Sequence, residues 1–313
     1  MGRTVGAIPD CCSLVRQADK ARVSGDSLGV ETSLETTRRA RCVQVMSSTE
    51  FTARWLEALD QLGDEDAQYT FRIESGHTGK PRASSVGGCG RQQGYATTGV
   101  PKTDPGGPPW AAMMGYAGEA IVRRVLTRMG YEMTSVELPK DLVFSGHVDD
   151  VIRGLDLDIP HVWDNKVRGT YGMRMLIQQG LPTADPQMYL QMQLYMLALG
   201  LSKTMLTIVP HDLSMMRREV KSYKLDVDSP LIYRIIVDAD TAAQDVALTR
   251  ATEVAAANAL SVVIRREYDR KGFPCTWNGG GCEWFTRCVV DDDGDQLQLT
   301  PIPPSWTSLE PIG

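Results

Sequence analysis

Two short segments set acidic and basic side chains among apolar ones: Gly146-His147-Val148-Asp149 and Trp163-Asp164-Asn165-Lys166. Asp164 and Lys166 are two residues apart. On a strand, side chains alternate between faces, so these two share one face. A neighbouring strand that brought Asp149 alongside would gather two carboxylates and an ammonium. Hard oxygen ligands of this kind suit Mg²⁺ or Mn²⁺, and a lysine beside them can stabilise charge developing on a phosphate or orient a water. An Asp-x-Lys pair on a strand is ordinarily a solvated face. Here, however, Asp149 lies between Val148 and Val151, and Asp164 follows Val162 and Trp163. Acids inside such apolar strands are costly unless they bind something. Gly146 allows a close backbone approach, and alternation puts His147 on the face of Asp149 as a neighbour with a possible direct role.

A third acid precedes them. The segment 110–130 reads as a helix with Met114, Gly118, Ile121, Val122, Val125 and Met129 on one apolar face and Gly130 at its end. Glu119 falls at the border of that face. From there it can reach a sheet edge and add a ligand for a second metal or a bridging water.

These residues need elements to position them. Strands are expected at 131–138, 141–153 and 161–169, the last two joined as a hairpin by Gly154-Leu155-Asp156-Leu157-Asp158-Ile159-Pro160. A helix follows, with Asp185 as N-cap, Pro186 at its first position and Gly200 past its end. Segments 204–210 and 218–227 read as two more strands, and 229–270 as mostly helical. Ser47, Ser48 and Thr49 precede an early helix with Phe51, Trp55, Leu56 and Leu59 at helical spacing, stopped by Gly63. The fold class is α/β, a mixed sheet flanked by helices.

Gln191 and Tyr195 are i, i+4 on one helix face. A core tyrosine is the plain reading; stacking on a base or bonding a phosphate is the functional one. Cys275, Cys282 and Cys288 lie close together, and Cys89 sits far upstream in a short segment, 84–95, that looks ordered within the Gly/Pro/Ser-rich stretch 71–109. Three close thiols and a remote one make a candidate four-thiolate site for [4Fe–4S] or Zn²⁺; buried free thiols are the alternative. A clip of that kind would close a loop of roughly 200 residues, which can stabilise by several kcal/mol. Cys11, Cys12 and Cys42 match no pattern. Arg91, Arg123 and Arg124 are candidate phosphate contacts.

The sequence of Glu119, Gly146-His147-Val148-Asp149, Asp164-Asn165-Lys166 and Gln191-x-x-x-Tyr195 resembles the PD-(D/E)XK nucleases of the RecB type. The resemblance implies a restriction-endonuclease-like core over 49–288. It makes Glu119, Asp149 and Asp164 metal ligands, with the backbone carbonyl of Asn165 as a further one. Lys166 would be catalytic, and Gln191 and Tyr195 would lie beside the substrate. Glu119 stands where many members have histidine. Ser84 to Tyr95, around Cys89, together with the later cysteines, resembles the iron–sulfur branch of these nucleases, the CRISPR-associated Cas-four exonucleases and AddB-type domains. That branch implies a [4Fe–4S] cluster held by Cys89, Cys275, Cys282 and Cys288. It also implies exonuclease action on single-stranded DNA ends in bacterial or phage recombination and DNA processing. A catalytically silent DNA-binding module of the same fold is the competing expectation.

Composition bounds these readings. The chain has 313 residues, 42% hydrophobic and 23% charged, with seven cysteines, as in an ordinary globular protein. No run of about 18 apolar residues suggests a membrane span, and residues 1–20 do not read as a secretory signal. A bacterial or infected-host cytoplasm is expected. Net charge is −6, but residues 289–313 carry five acids and no Lys or Arg. The middle is close to neutral, so DNA is not excluded as a partner. Residues 1–48 are expected to be a disordered extension, with Met46 an alternative start, and 289–313 a flexible acidic tail.

Overall fold

The computed structural model describes residues 47–60, 79–104, 110–154, 157–225, 227, 231–265, 267, 282–291 and 296–303. The expected N-terminal extension lies almost wholly outside the described residues, as do Cys275 and all of 61–78, Gly63 included.

Helix α1 (Ser48–Asp60) starts where Ser47 Oγ accepts the Glu50 N–H at 3.1 Å, the bond of an N-cap. It buries Phe51, Trp55 and Ala58, while Leu56 faces solvent, one step off the expected stripe. Helix α2 (Gly90–Thr98) lies in the segment that looked ordered. Helix α3 (Trp110–Arg128) buries Val122, Val125, Leu126 and Met129, the 3.6-residue stripe of an amphipathic helix.

Three strands follow: β1 (Glu132–Thr134), β2 (Asp150–Gly154) and β3 (Leu157–Arg168). The expected strand over 141–153 is therefore regular only from Asp150. Before it, the chain makes single bridges at Ser145 and His147. β2 and β3 form the expected antiparallel hairpin, pairing Asp150 with Trp163 and Ile152 with His161. Gly154, at φ +125°, makes the turn in a conformation that side chains resist.

After β3 come α4 (Thr170–Gln179), α5 (Leu181–Ala184) and α6 (Pro186–Leu199). Asp185 caps α6 by accepting the Met188 N–H at 2.9 Å, and Gly200 ends it at φ +64°. Residues 188–196 are all buried, as a helix apolar all round must be. β4 (Lys203–Pro210) returns parallel to β3, so α4–α6 form the crossover that parallel strands need.

Two expectations fail beyond this point. Residues 218–223 are not a strand: they belong to α7 (Leu213–Tyr223). Asp212 caps it through the Met215 N–H at 2.9 Å, and Met216 is its buried anchor. Arg217, Arg218 and Lys221 lie on its exposed side. Within 229–270, β5 (Tyr233–Asp238) precedes α8 (Thr241–Leu260). β5 pairs antiparallel with β4, and its β-branched run Ile235-Ile236-Val237 suits a strand buried on a sheet.

The sheet order is β1-β2-β3-β4-β5. Alternation sends Trp163 and Met205 to one face, under Phe51, Trp55, Val125 and Leu126. It sends Val162, Leu206 and Ile208 to the other, under Met173, Leu190 and Leu194. Truncating Leu190 or Leu194 to Ala would cost roughly 2–5 kcal/mol.

Residues 296–303 are not part of a loose tail. A two-stranded piece, β6 (Val263–Ile264) with β7 (Gln296–Leu297), follows α8, and Leu299 is buried. Thr300 bonds the Glu253 carboxylate at 2.6 and 2.7 Å. Short helix α9 (Phe285–Val290) packs nearby, where Trp284 donates to Val100 O at 2.8 Å. The acid count of 289–313 concealed these apolar anchors.

Candidate active site

The site begins where β2 ends. The last rung of the β2–β3 ladder joins Asp150 to Trp163, so from Asp164 onward that edge of β3 has no strand beside it. Asp149 Oδ2 takes the place of the missing strand, accepting the Asn165 N–H at 2.8 Å. A buried N–H requires such a partner. The Asn165 carbonyl points the same way as its N–H and so faces this edge.

Asp164 and Lys166 share a face, as alternation requires, and their side chains form an ion pair. Asp164 is buried, and its Oδ2 accepts no well-aligned hydrogen bond although the ammonium lies against it. The opposite face carries Asn165, whose side chain meets Thr207 Oγ1 at 2.9 Å. With its amide oriented to satisfy both ends, Asn165 also accepts the Glu119 N–H at 3.2 Å. Trp163 Nε1 donates to the same threonine at 3.0 Å.

Helix α3 delivers Glu119 to this edge because Gly118 has no side chain. A Cβ at Gly118 would lie 2.3 Å from Val167 Cγ2, closer than real carbon contacts allow. Arg123, one turn on, donates to the Asp149 carbonyl at 2.7 Å, pairs with buried Asp150 at 2.8 Å and approaches Glu119 at 3.9 Å. It is therefore committed to the site's framework, a role other than the phosphate contact expected of it. Its spacing of i+4 from Glu119 was the legible signal. Arg124 is half-buried.

Electrostatics bind the group together. Burial, then the Asp164 charge, holds the Asp149 carboxyl well above the usual range, with Lys166 and the Asn165 N–H opposing. Burial also raises Glu119, against Arg123 and with Asp164 adding to the rise. Burial pushes Asp150 up to about 6, with Arg123 opposing. Burial alone would lower Lys166; Asp164 and Asp149 outweigh it and hold the amine above its ordinary value. Carboxylates that raise one another in this way would gain from a divalent cation. An all-oxygen donor set fits Mg²⁺ or Mn²⁺. Among the described residues, no group of three or more His, Cys, Asp or Glu is already spaced to hold a metal ion; the cations at this edge are Lys166 and Arg123.

Gln191 and Tyr195 lie beneath the site, in the core. Both are buried and make a relay: Gln191 Nε2 donates to Tyr195 Oη at 3.0 Å, and Tyr195 Oη donates to the His147 carbonyl at 2.7 Å. Gly146 gives the ring its room, since a Cβ there would stand 3.0 Å from Tyr195 Cε1. The pair holds the 146–149 segment from beneath. His147 itself is exposed, on an isolated bridge to Glu137 rather than on a strand.

Arg91, expected as a phosphate contact, is turned inward. It is buried, donating to Ile264 O at 2.6 Å, Cys288 O at 3.0 Å, Cys288 Sγ at 3.4 Å and Gln296 Oε1 at 2.8 Å. Tyr95 Oη donates to Asp291 Oδ2 at 2.9 Å. Buried Arg250 reaches Val86 O, Gly88 O, Thr300 O and the Glu267 carboxylate, all at 2.6–3.1 Å. The Cys89 segment and the C-terminal segment thus meet through arginine clasps. Cys89 is buried, Cys282 and Cys288 partly so, and all three are free thiols; Cys275 lies outside the described residues.

No protein-family profile matches the chain, and no curated protein matches it. Among solved structures, LHK-Exo in complex with dAMP aligns at a TM-score of 0.43 and 17% identity, over 59% of this chain and 90% of that one. The alkaline exonuclease LHK-Exo from Laribacter hongkongensis aligns at 0.42 and 19%, with the same coverage. SSO0001 aligns at 0.40 and 14%, over 76% of this chain and 95% of that one. At such scores and identities the likenesses carry no assignment, and function must come from this chain's own residues. No helix among the described residues is long and apolar enough to cross a membrane.

Proposed function

We propose that this protein is a divalent-metal-dependent deoxyribonuclease that cuts phosphodiester bonds, working from single-stranded DNA ends in bacterial or phage DNA processing. One observation carries the reading. At the free edge of β3, Lys166 pairs with Asp164 while Asp149 and Glu119 stand within electrostatic reach of both.

Asp149, Asp164, Glu119 and the Asn165 carbonyl would hold Mg²⁺ or Mn²⁺, which supplies polarisation of the phosphate and acidification of a bound water. Lys166 is only partly exposed, and its ammonium can leave Asp164 to bond a phosphate oxygen as charge builds there. Asp149 is held from two sides, by the Asn165 N–H at its carboxylate and Arg123 at its carbonyl. The Gln191–Tyr195 relay fixes the turn before it.

The test is hydrolysis of end-labelled single-stranded DNA with Mg²⁺ or Mn²⁺. Cleavage by the native chain, lost in Lys166→Ala and Asp149→Ala, supports the reading; equal cleavage by all three contradicts it. A second reading, a DNA-holding module that no longer cuts, has one observation in its favour: no ready-spaced metal group among the described residues. Weak or absent Mn²⁺ uptake would select it.

The same proposal extends to Cys89, Cys275, Cys282 and Cys288 as holders of a [4Fe–4S] cluster, with Zn²⁺ as the alternative. Support comes from Arg91, two residues after Cys89, which bonds Cys288. A brown anaerobic preparation with broad visible absorbance, lost in Cys288→Ala, is expected. A colourless protein holding stoichiometric zinc would select the alternative.

A further inference from the structure

The free edge of β3 carries one more charged residue that none of the roles above uses. Asp164, Lys166 and Arg168 stand at i, i+2 and i+4, so all three share a face. Arg168 ends the β3–β4 ladder opposite Pro210, one same-face step beyond Lys166 opposite Ile208. Same-face neighbours on a strand lie roughly 6–7 Å apart, so the two cations share one field. Burial first, and Arg168 after it, disfavour the charged form of Lys166, which Asp164 and Asp149 sustain. The backbone of Arg168 is fixed, since its carbonyl accepts the His211 N–H at 3.0 Å.

The guanidinium is held by one corner. Nη2 donates to Asp185 Oδ2 at 2.6 Å and lies 3.8 Å from Met188 Sδ. The other oxygen of that carboxylate accepts the Met188 N–H and caps α6. Among the described residues, Nε and Nη1 make no hydrogen bond or ion pair, and the side chain is 36% exposed. A tie to Asp185 alone asks only for a point charge, which a lysine supplies. A planar fork held at one corner, with donors to spare, suits two oxygens of one phosphate.

Position says whose phosphate. Lys166 has the charges of Asp164 and Asp149 beside it, whereas the single carboxylate of Asp185 is divided between Arg168 and the helix cap. An anion that reaches Lys166 along the free edge therefore meets Arg168 next. For a strand of DNA, that second anion is the neighbouring phosphate. Contacts of this kind set the position of a strand without reading its sequence.

We infer that Arg168 binds the DNA phosphate next to the one being cut, and so positions the strand at Lys166. The inference rests on the nuclease reading of the same edge. A backbone phosphodiester and a terminal monophosphate present the same oxygens, and the test separates them.

Fluorescence anisotropy of the full chain with labelled oligothymidylate in EDTA tests it, beside steady-state cleavage with Mg²⁺. Arg168→Gln should weaken binding roughly tenfold or more and flatten the slope of log affinity against log salt by about 0.7. Its KM should rise by a like factor with kcat little changed. Arg168→Lys should restore the salt slope but only part of the affinity, since the fork is lost. Asp185→Asn keeps an oxygen for the α6 cap and removes the ion pair, so it should keep most of the binding that Arg168→Gln loses. Equal losses in Asp185→Asn and Arg168→Gln, or native binding and KM in Arg168→Gln, make the pair a structural tie and overturn the inference. Oligothymidylates phosphorylated at either end or at neither distinguish the sources. An equal loss for all of them assigns the contact to the backbone, and a loss confined to one phosphorylated end assigns it to that terminus. Lys166→Ala separates the two proposals. If it cuts normally while Arg168→Gln loses binding, the nuclease site is wrong and the phosphate contact stands. If it is dead while Arg168→Gln binds normally, the reverse holds.

Discussion

Asp149 Oδ2 accepts the backbone N–H of Asn165 at 2.8 Å, so a carboxylate finishes the edge that β2 leaves open. One side chain thus has two duties: it satisfies a strand donor and contributes charge to the site. The duties conflict, because burial and Asp164 both raise the energy of the ionised form.

Separating them gives the first prediction. Asp149→Asn keeps an oxygen for the Asn165 N–H and removes the charge. Cleavage should fall by roughly two to three orders of magnitude, as for loss of one key electrostatic contact. Thermal stability in EDTA should hold or rise. Asp149→Ala should lose cleavage and also about 1–3 kcal/mol of stability, since the buried N–H is orphaned. Urea melts beside cleavage assays check both; an Asn variant markedly less stable than the Ala variant would contradict the account.

Glycine contacts give the second. Gly118→Ala would place a methyl 2.3 Å from Val167 Cγ2, forcing α3, and with it Glu119, off the sheet. A cost of about 1–3 kcal/mol is expected, with cleavage falling further than the stability loss explains. Gly115→Ala on the same helix meets nothing within 4 Å and should do neither.

Tyr195→Phe isolates the hydroxyl of the relay. The ring still fills the space beside Gly146, but the His147 carbonyl and Gln191 lose their partner. A loss of about 1 kcal/mol and a lower kcat with KM unchanged are expected. If instead KM alone rises, Tyr195 touches substrate and the buried placement is wrong.

Proton linkage gives the fourth. Asp150 moves from 3.8 to about 6, and Glu119 and Asp149 are also raised. A carboxyl raised in the fold keeps a proton that the unfolded chain has released. Its contribution to stability is therefore greatest below the unfolded value and is lost as pH climbs through the folded one. For Asp150 that window runs from about pH 4 to about pH 6. Melting temperatures in EDTA should fall across it in the native chain and fall less in Asp150→Asn. Equal slopes in the two proteins would remove Asp150 from the linkage. Mn²⁺ uptake favours the ionised forms of Asp149 and Glu119, which the fold disfavours, so affinity should increase with pH.

Much of the site was legible because strand alternation and helix capping are local rules. Asp164 and Lys166 share a face, Glu119 sits at the border of its helix, and Asp185, Pro186 and Gly200 bound α6 as their types demand. What escaped depended on depth. Tyr195 and Arg91 have the chemistry of nucleic-acid contacts, but neighbours distant in sequence bury them. The outer charges of α7 hid its helical period, while Met216 and the Asp212 cap revealed it. The 141–149 segment has a strand's composition, yet it bends because Asp149 must turn into the edge of β3 rather than pair along it.

The most direct test of the central claim is an electron paramagnetic resonance titration of Mn²⁺ into the native chain and into Asp164→Asn, at slightly alkaline pH. The account predicts that the native chain quenches the signal of free Mn²⁺ stoichiometrically, and that Asp164→Asn requires at least roughly ten times more protein to do so. Identical titration curves for the two proteins, or a native chain that leaves the ion in solution, would contradict it.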